Sequence, residues 1–396
     1  MSDFPKIILG SGKDQSLKRF HPWVFSGAIK KTEGQIDEGD IVEVYSNKND
    51  FLGMGHYQKG SIAVRIFSFL KLEPDFDFWK EKISNAYFYR KTIGMTENPH
   101  TNMYRLIFAE GDHFPGLIID IYKDTAVMQA HSIGMHRHKD IFTQALKDVL
   151  GEKLKAVYDK SSETLPKREG INYQDAYLWG HPSREHQVIE NGHHFYINWK
   201  EGQKTGFFID QRENRKLFGS YSEGRSVLNT FCYSGAFSVY ALKSDALNVD
   251  SVDSSRRAIE LTEKNIVLND IPPEKHNSYV SDVFDFLKNA EKKYDLIVLD
   301  PPAFAKHHDS KHQAVMGYKR LNAEAMRIIK TGGILFTFSC SQAVDRYLFN
   351  NTITAAAILS GRKIRVLHQL AQPADHPVNI FHPEGEYLKG LVLMVE

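Results

Sequence analysis

Asp253, Asp282, Asp300 and Cys340 share one kind of position in the second half of this chain: each stands at or just beyond the C-terminal end of a short apolar run. Short apolar runs between turn signals read as buried strands, and the spacing predicts strands over 226–231, 246–252, 278–280, 295–299 and 334–338. A carboxylate at such a strand end can accept hydrogen bonds from ribose hydroxyls. A thiol there is presented to a pocket, as nucleophilic catalysis requires. The first strand turns through Cys232-Tyr233-Ser234-Gly235-Ala236-Phe237 into a helix ending near Leu242, and the second strand is closed by Asp253. That βαβ pattern is a nucleotide-binding half-fold, with Asp253 about 20 residues past the first strand, where the ribose carboxylate of such units lies.

The dinucleotide fingerprint G-x-G-x-x-G needs three glycines so that bare backbone can approach a pyrophosphate. Here only Gly235 is present in the first turn. A ligand without phosphates needs less bare backbone. S-adenosylmethionine, with polar ribose and amino-acid ends and a cationic sulfonium, fits better than a nicotinamide dinucleotide. Asp253 would then hold the ribose, Asp282 the adenine edge and Asp300 the region near the transferred methyl. The bland alternative is an ordinary α/β domain whose strands happen to end in acids.

These elements occupy the last of three expected domains. At 396 residues the chain is too long for one typical core. Boundaries are expected to give 1–74, 75–198 and 199–396. The composition, 42% hydrophobic and 25% charged, is that of a globular protein, without an apolar run long enough to span a bilayer or a secretory pattern at the start, so no membrane partner is expected. Two cysteines argue against a disulfide scaffold and for a reducing, cytoplasmic setting. A net charge of +1 weighs against a nucleic-acid partner unless the basic residues cluster.

They do cluster in part. Lys13, Lys18, Arg19, His21, Lys30 and Lys31 surround Phe20, Trp23 and Phe25, a mixture suited to phosphates and stacking, although Trp23 and Phe25 could equally be core of a β-domain. Short strands separated by turns from residue 6 to about 72 predict a small β-barrel. A helix follows over 78–94 with Trp79, Ile83, Ala86, Tyr87 and Arg90 on one face. Strands near 105–121 and 125–130, a helix over 139–150 and a hairpin turning at Asn191-Gly192 give the middle region an α+β character.

Several of these segments resemble a known family, the bacterial methyltransferases that make 5-methylcytosine in large-subunit ribosomal RNA. The resemblance covers nearly the whole chain. Its most specific parts are His21-Pro22-Trp23-Val24-Phe25-Ser26-Gly27, the run 202–212 (Gly-Gln-Lys-Thr-Gly-Phe-Phe-Ile-Asp-Gln-Arg), residues 229–237, Asp300-Pro301-Pro302-Ala303-Phe304 and Ser339-Cys340-Ser341. It implies an N-terminal PUA-like β-barrel, a central α+β domain and a Rossmann-like class I methyltransferase domain with a seven-stranded sheet ending in an antiparallel strand. It also implies that Lys204, Thr205, Phe207, Asp210, Gln211 and Arg212 line a pocket for S-adenosyl-L-methionine, and that Asn229, Phe231, Tyr233 and Gly235 lie under its methionine end. The strand-end aspartates and their neighbours Ser254, Val283 and Pro301 complete the expected cofactor shell. Ribosomal RNA is the expected partner, met by Arg19, His21 and Trp23 and by Lys306, Lys319 and Arg320 after the proline turn. A homodimer is compatible with this, and the sequence leaves the oligomeric state open.

Carbon 5 of cytosine is not nucleophilic, so an enzyme methylating it first adds a nucleophile at C6, and a thiolate suits that task. Cys340 is the expected nucleophile and Asp300 its catalytic partner, against the alternative of an inert buried cysteine. Cys232 is expected to be a packing residue. Many RNA 5-methylcytosine enzymes carry a second cysteine where this chain has Ala303, so the group that removes the C5 proton is unassigned. Guanine methylation in ribosomal RNA, or a non-catalytic RNA-binding assembly role, are the alternatives. His308 and His312 are one helical turn apart, but methyl transfer needs no metal, and no metal is expected.

Overall fold

The computed structural model describes residues 4–169, 172–182, 186–291, 293–304 and 311–396. The chain divides into two compact units. The first comprises Met1–Val188, Ile197–Ile209 and Ala374–Gly385; the second comprises Ile189–Tyr196, Asp210–Pro373 and Glu386–Glu396.

In the first unit six short strands form one sheet, in the spatial order Trp23–Phe25, Ile62–Ser68, Phe51–Tyr57, Ile41–Tyr45, Lys6–Leu9, Ile29–Glu33. Strand alternation places Val24 in the core at 1% exposure and leaves Phe25 at 47%, so the aromatic residues beside Val24 are not the core of this sheet. The strand Ile29–Glu33 has no apolar alternation to announce it, because four of its five residues face solvent. A second sheet runs Ala176–Gly180, Ala156–Asp159, Thr125–Ala130, Leu117–Tyr122, Met103–Phe108. Helix Phe76–Thr92 is capped by the Asp75 carboxylate, which accepts from the Phe78 N–H, and buries Trp79, Ile83, Ala86 and Arg90. With helix Lys139–Leu150 it covers a core that also takes in Met54 and Phe67 of the first sheet. The Asn191-Gly192 hairpin, whose turn belongs to the second unit, forms as expected, with both residues at positive φ (48° and 82°).

The second unit is built on seven strands: β1 (Ser226–Thr230), β2 (Asn248–Asp253), β3 (His276–Val280), β4 (Tyr294–Leu299), β5 (Ile329–Ser339), β6 (Ile364–Leu370) and β7 (Lys389–Val395). Their order is β3-β2-β1-β4-β5-β7-β6. All pairs are parallel except those made by β7, which runs antiparallel between β5 and β6. This is the expected Rossmann-like sheet with its antiparallel C-terminal strand. The order reverses between β1 and β4, and ligands of such sheets bind outside the strand ends at that point. β5 starts at Ile329, five residues ahead of the predicted strand over 334–338, and runs through Thr331-Gly332-Gly333. Gly332 at φ +81° makes the bend inside the strand, and the register with β4 slips between Tyr294 and Leu296. Helices α1 (Arg212–Ser220), α2 (Ala236–Lys243), α3 (Arg256–Leu268), α4 (Val283–Asn289), α5 (Lys311–Ile328) and α6 (Arg346–Ser360) accompany the strands. Leu228, Ile297, Leu335, Leu393, Tyr318 and Phe349 are buried in one core, and each such aliphatic side chain contributes roughly 1.5–3 kcal/mol by leaving water.

Candidate active site

The turn after β1 is backbone-strained. Phe231 and Tyr233 have φ of +53° and +47°, and Gly235 has φ +70°. Aromatic residues in the left-handed region cost on the order of 1–3 kcal/mol each and persist where the surroundings enforce them, often at ligand sites. Part of the enforcement is visible. The Asp253 carboxylate at the end of β2 accepts the Tyr233 N–H at 3.0 Å through one oxygen and the Ser255 N–H at 2.9 Å through the other. The Gly235 N–H donates to the Cys232 carbonyl at 2.7 Å. A Cβ on Gly235 would stand 2.5 Å from Thr262 Cγ2, so the single glycine of this turn is required on two counts. Asn229, buried under the turn, donates to Ser238 Oγ at 2.8 Å, and its Oδ1 is without a hydrogen-bond partner.

Asp282 caps α4, its Oδ1 accepting from Phe284 and Asp285 N–H at 2.8 and 3.2 Å, with Val283 buried behind it and Ser254 exposed beyond β2. Asp300, at the end of β4, is held from the N-cap of α1: Gln211 Nε2 donates to its Oδ1 at 3.0 Å. Asp210 accepts from the Tyr387 hydroxyl, and Arg212 is buried with its Nε 3.3 Å from Glu213. The helix α1 is itself anchored by a buried bidentate pair, Arg215 to Glu190 at 2.8 Å for both bonds.

Cys340 follows β5 directly and is partly exposed, with Sγ 4.0 Å from the carbonyl of Pro301. The thiol and the Asp300-Pro301-Pro302 turn are thus neighbours, as adjacent parallel strands β4 and β5 require. Tyr318 on α5 lies buried beside Ser339, Cys340 and Asp300, and burial holds its hydroxyl protonated. Lys389 opens β7 opposite Ser339, is 3% exposed and donates from Nζ to the Ser341 carbonyl at 2.8 Å. Burial brings its ammonium down to about 8, against the favourable charge of Cys340. Cys232 is different: buried, 3.5 Å from Thr262 Oγ1, its thiol pushed up to about 12 by desolvation, which suits packing.

The remaining expected site residues divide as follows. Lys204, Thr205 and Phe207 belong to the first unit. There the Thr205 hydroxyl donates to Asp120 at 2.5 Å and meets the Tyr122 hydroxyl at 2.9 Å, Phe207 is buried, and Lys204 Nζ lies 4.8 Å from the centre of the Phe208 ring. Arg19 is exposed, whereas Trp23 donates its indole N–H to Glu110 at 2.8 Å and packs against His382. Lys319 and Arg320 lie on α5, with Arg320 over the Phe284 ring. Lys306 and His308 lie outside the described residues.

Among the described residues, His21, His382 and Glu384 bring three metal-competent atoms within 4.8 Å of one another. The Trp23 N–H donates to His21 Nδ1 at 3.2 Å, which puts the proton of the neutral ring on Nε2 and makes that atom a donor toward Glu384 rather than a ligand. Sequence reasoning missed Lys389, Tyr318 and Tyr387. The signal for Lys389 was a lone cation at the head of the apolar run that follows it to Val395.

Residues 7–69 match the model of a PUA-like domain, and residues 159–379, more than half of the chain, match that of an S-adenosylmethionine-dependent methyltransferase. Ribosomal RNA large subunit methyltransferase I of Pseudoalteromonas atlantica is 39% identical over 98% of this chain and 99% of the relative. The protein of the same name from Aeromonas hydrophila is 38% identical over 98% of each. A solved structure of a chain described as a methyltransferase, complexed with SAH, matches with a TM-score of 0.85 at 25% identity over 98% of this chain and 99% of that one. The cofactor is S-adenosylmethionine, and the residues fit it. Asp253 keeps lone pairs for ribose hydroxyls beyond its two backbone bonds, the unpartnered Asn229 Oδ1 is an acceptor under the turn, and the bare Gly235 lets the turn close. By identity and coverage the chain belongs to the ribosomal RNA large subunit methyltransferase I family of S-adenosylmethionine-dependent methyltransferases.

Proposed function

We propose that this protein methylates carbon 5 of a cytosine in large-subunit ribosomal RNA, with Cys340 as a covalent nucleophile. The observation that carries the reading is the placement of Cys340 Sγ 4.0 Å from the Pro301 carbonyl, on the turn that presents Asp300. The names of the relatives supply the RNA class. S-adenosylmethionine supplies an electrophilic methyl group when bound. Cys340 thiolate adds to C6, while Asp300, oriented by Gln211, hydrogen-bonds the N3/N4 edge of the ring. Electron density then rises at C5, the atom that takes the methyl. With the methyl transferred and S-adenosylhomocysteine left behind, passage of the C5 proton to water or another base would expel Cys340 and restore the thiolate. The base must reach the pocket out of its stack, at a cost of a few kcal/mol in a duplex, so single-stranded or looped RNA is the expected form. The PUA-like region with Arg19, and Lys319 and Arg320 on α5, are the proposed RNA contacts.

Nucleoside mass spectrometry of ribosomal RNA from a deletion strain tests the product. Loss of one 5-methylcytosine supports the reading, and loss of a methylguanine instead rejects it. Cys340→Ala should abolish methylation and leave cofactor binding nearly unchanged, and RNA carrying 5-fluorocytosine should stay attached to the wild-type chain. A Cys340→Ala protein that still methylates at an appreciable rate would rule the covalent route out.

A further inference from the structure

We propose that Lys389 is a positioning residue for the thiol chemistry, a buried ammonium that holds Cys340 in its nucleophilic, thiolate form. The inference rests on Cys340 being the nucleophile.

Three geometric facts carry it. Lys389 pairs with Ser339 across the β5–β7 ladder, so its backbone starts one residue before the cysteine. Its Nζ ends on the carbonyl of Ser341, one residue after the cysteine, at 2.8 Å. The side chain therefore runs alongside Cys340, and at 3% exposure it does so out of water. A lysine that needed only a carbonyl partner has cheaper places than the interior of a sheet, because desolvating an ammonium is opposed unless a counter-charge faces it. The groups that face Lys389 supply that balance: Cys340 is the leading favourable partner, followed by Glu386, with Asp345 adding to it and Arg346 opposing. With its ammonium brought down to about 8, Lys389 is still mostly charged at neutral pH.

From the other side, Cys340 is faced by the Tyr318 hydroxyl on α5, which burial keeps neutral, and both Cys340 and Asp300 act on that hydroxyl. The Asp300 carboxylate therefore works against a thiolate, and a cation on the β7 side is the group that offsets it. Nucleophilic cysteines depend on such electropositive surroundings, since the thiolate and not the thiol attacks.

The test reads alkylation of the Cys340 peptide by iodoacetamide as a function of pH, by mass spectrometry, on the full-length protein without RNA or cofactor. Buried Cys232 is resolved as a separate peptide. Lys389→Gln keeps an N–H for the Ser341 carbonyl and loses the charge, whereas Lys389→Arg keeps the charge. The pH midpoint of alkylation should rise by about one unit or more in K389Q, with a fall of roughly tenfold in rate at pH 7. K389R should stay close to wild type. A K389Q midpoint equal to that of wild type would show a purely structural lysine and overturn the inference. Calorimetric binding of S-adenosylmethionine verifies that each variant is folded, and if K389Q fails it, a K389R midpoint displaced as far as that of Lys389→Met overturns the proposal as well. Methylation by Cys340→Ala is a separate readout, so failure of the nucleophile reading and failure of the Lys389 role are told apart.

Discussion

Gln211 donates its side-chain amide to Asp300 Oδ1 at 3.0 Å, and Asn214 in turn donates to Gln211 Oε1 at 2.6 Å. The two bonds set which way the Gln211 amide faces. With Asn214 as donor on one side, only the Nε2 end can meet Asp300, so the carboxyl group is oriented by a fixed donor. The relation links the start of α1 to the end of β4, so a segment distant in sequence controls the acid next to Cys340.

Gln211→Glu should therefore impair turnover. It places a second carboxylate against Asp300, which raises the proton affinity of the pair and turns the acid away. We expect a fall in kcat/KM of about tenfold or more, equivalent to at least ~1.4 kcal/mol of transition-state stabilisation. Gln211→Ala, which removes the bond without adding charge, should cost less. Steady-state kinetics on both variants decides, and equal losses would remove the charge argument.

Gly235→Ala combines two penalties, a non-glycine residue at φ +70° and a Cβ 2.5 Å from Thr262 Cγ2. The backbone penalty alone is roughly 1–2 kcal/mol. Urea unfolding should show a loss of at least that size, and calorimetry should show weaker S-adenosylmethionine binding. Adding Thr262→Ala should restore part of the stability by removing the clash; no recovery would mean that the backbone strain dominates.

The catalytic sheet was legible because parallel strands buried on both faces read as continuous apolar runs, and because their ends carry Asp253, Asp282 and Asp300. The seven strands and the antiparallel last strand appear in the structure as expected, and the structure adds their order. Exposed edge strands such as Ile29–Glu33 and Ala176–Gly180 were not legible, since solvent on their surfaces removes the alternation. The strain at Phe231 and Tyr233 was invisible too, because aromatic residues do not advertise positive φ as glycine does. Lys389 was hidden for a different reason: its role comes from strand register, which a one-dimensional pattern does not record.

Glu190→Gln should be costly in the second unit. Glu190 takes both bonds of Arg215 at 2.8 Å and a third from the Tyr240 hydroxyl at 3.0 Å, all out of water. Removing one charge strands the guanidinium, for which the expected loss is about 3–5 kcal/mol. Thermal unfolding measures it. A loss below ~1 kcal/mol would mean that the Arg215 guanidinium finds water or another partner.

In the first unit, Asp375 brings the segment Ala374–Gly385 into register with the strand Met103–Phe108. Its Oδ2 accepts the Arg105 N–H at 3.0 Å, and its carbonyl accepts from Arg90 Nη2 at 2.8 Å. Asp375→Ala leaves a buried backbone N–H without its acceptor, a cost of about 1–3 kcal/mol. Limited proteolysis should cut near residues 374–385 faster in the variant, and an unchanged cleavage rate would show that the carbonyl bond alone suffices.

The last expectation concerns acid. His276 in β3 places Nε2 2.8 Å from Ser251 Oγ, and burial lowers its ring to about 4 from the usual 6.5, with Glu263 and Asp250 opposing the shift. In the unfolded chain the ring takes up a proton near 6.5, whereas in the fold it stays neutral until about 4. The unfolded state therefore binds more protons between these values, and the stability contribution, present above 6.5, is lost as pH falls toward 4. Allowing for the ring's partial exposure, the loss is on the order of 1–2 kcal/mol. His193 is lowered to about 4 as well and adds a slope of the same sign, so the decisive quantity is a difference between variants. His276→Gln has no proton to gain, and its urea midpoint should fall less steeply than that of wild type from pH 6.5 to 4.5. Parallel curves for the two proteins would mean that His276 is protonated equally easily in the folded and unfolded chain.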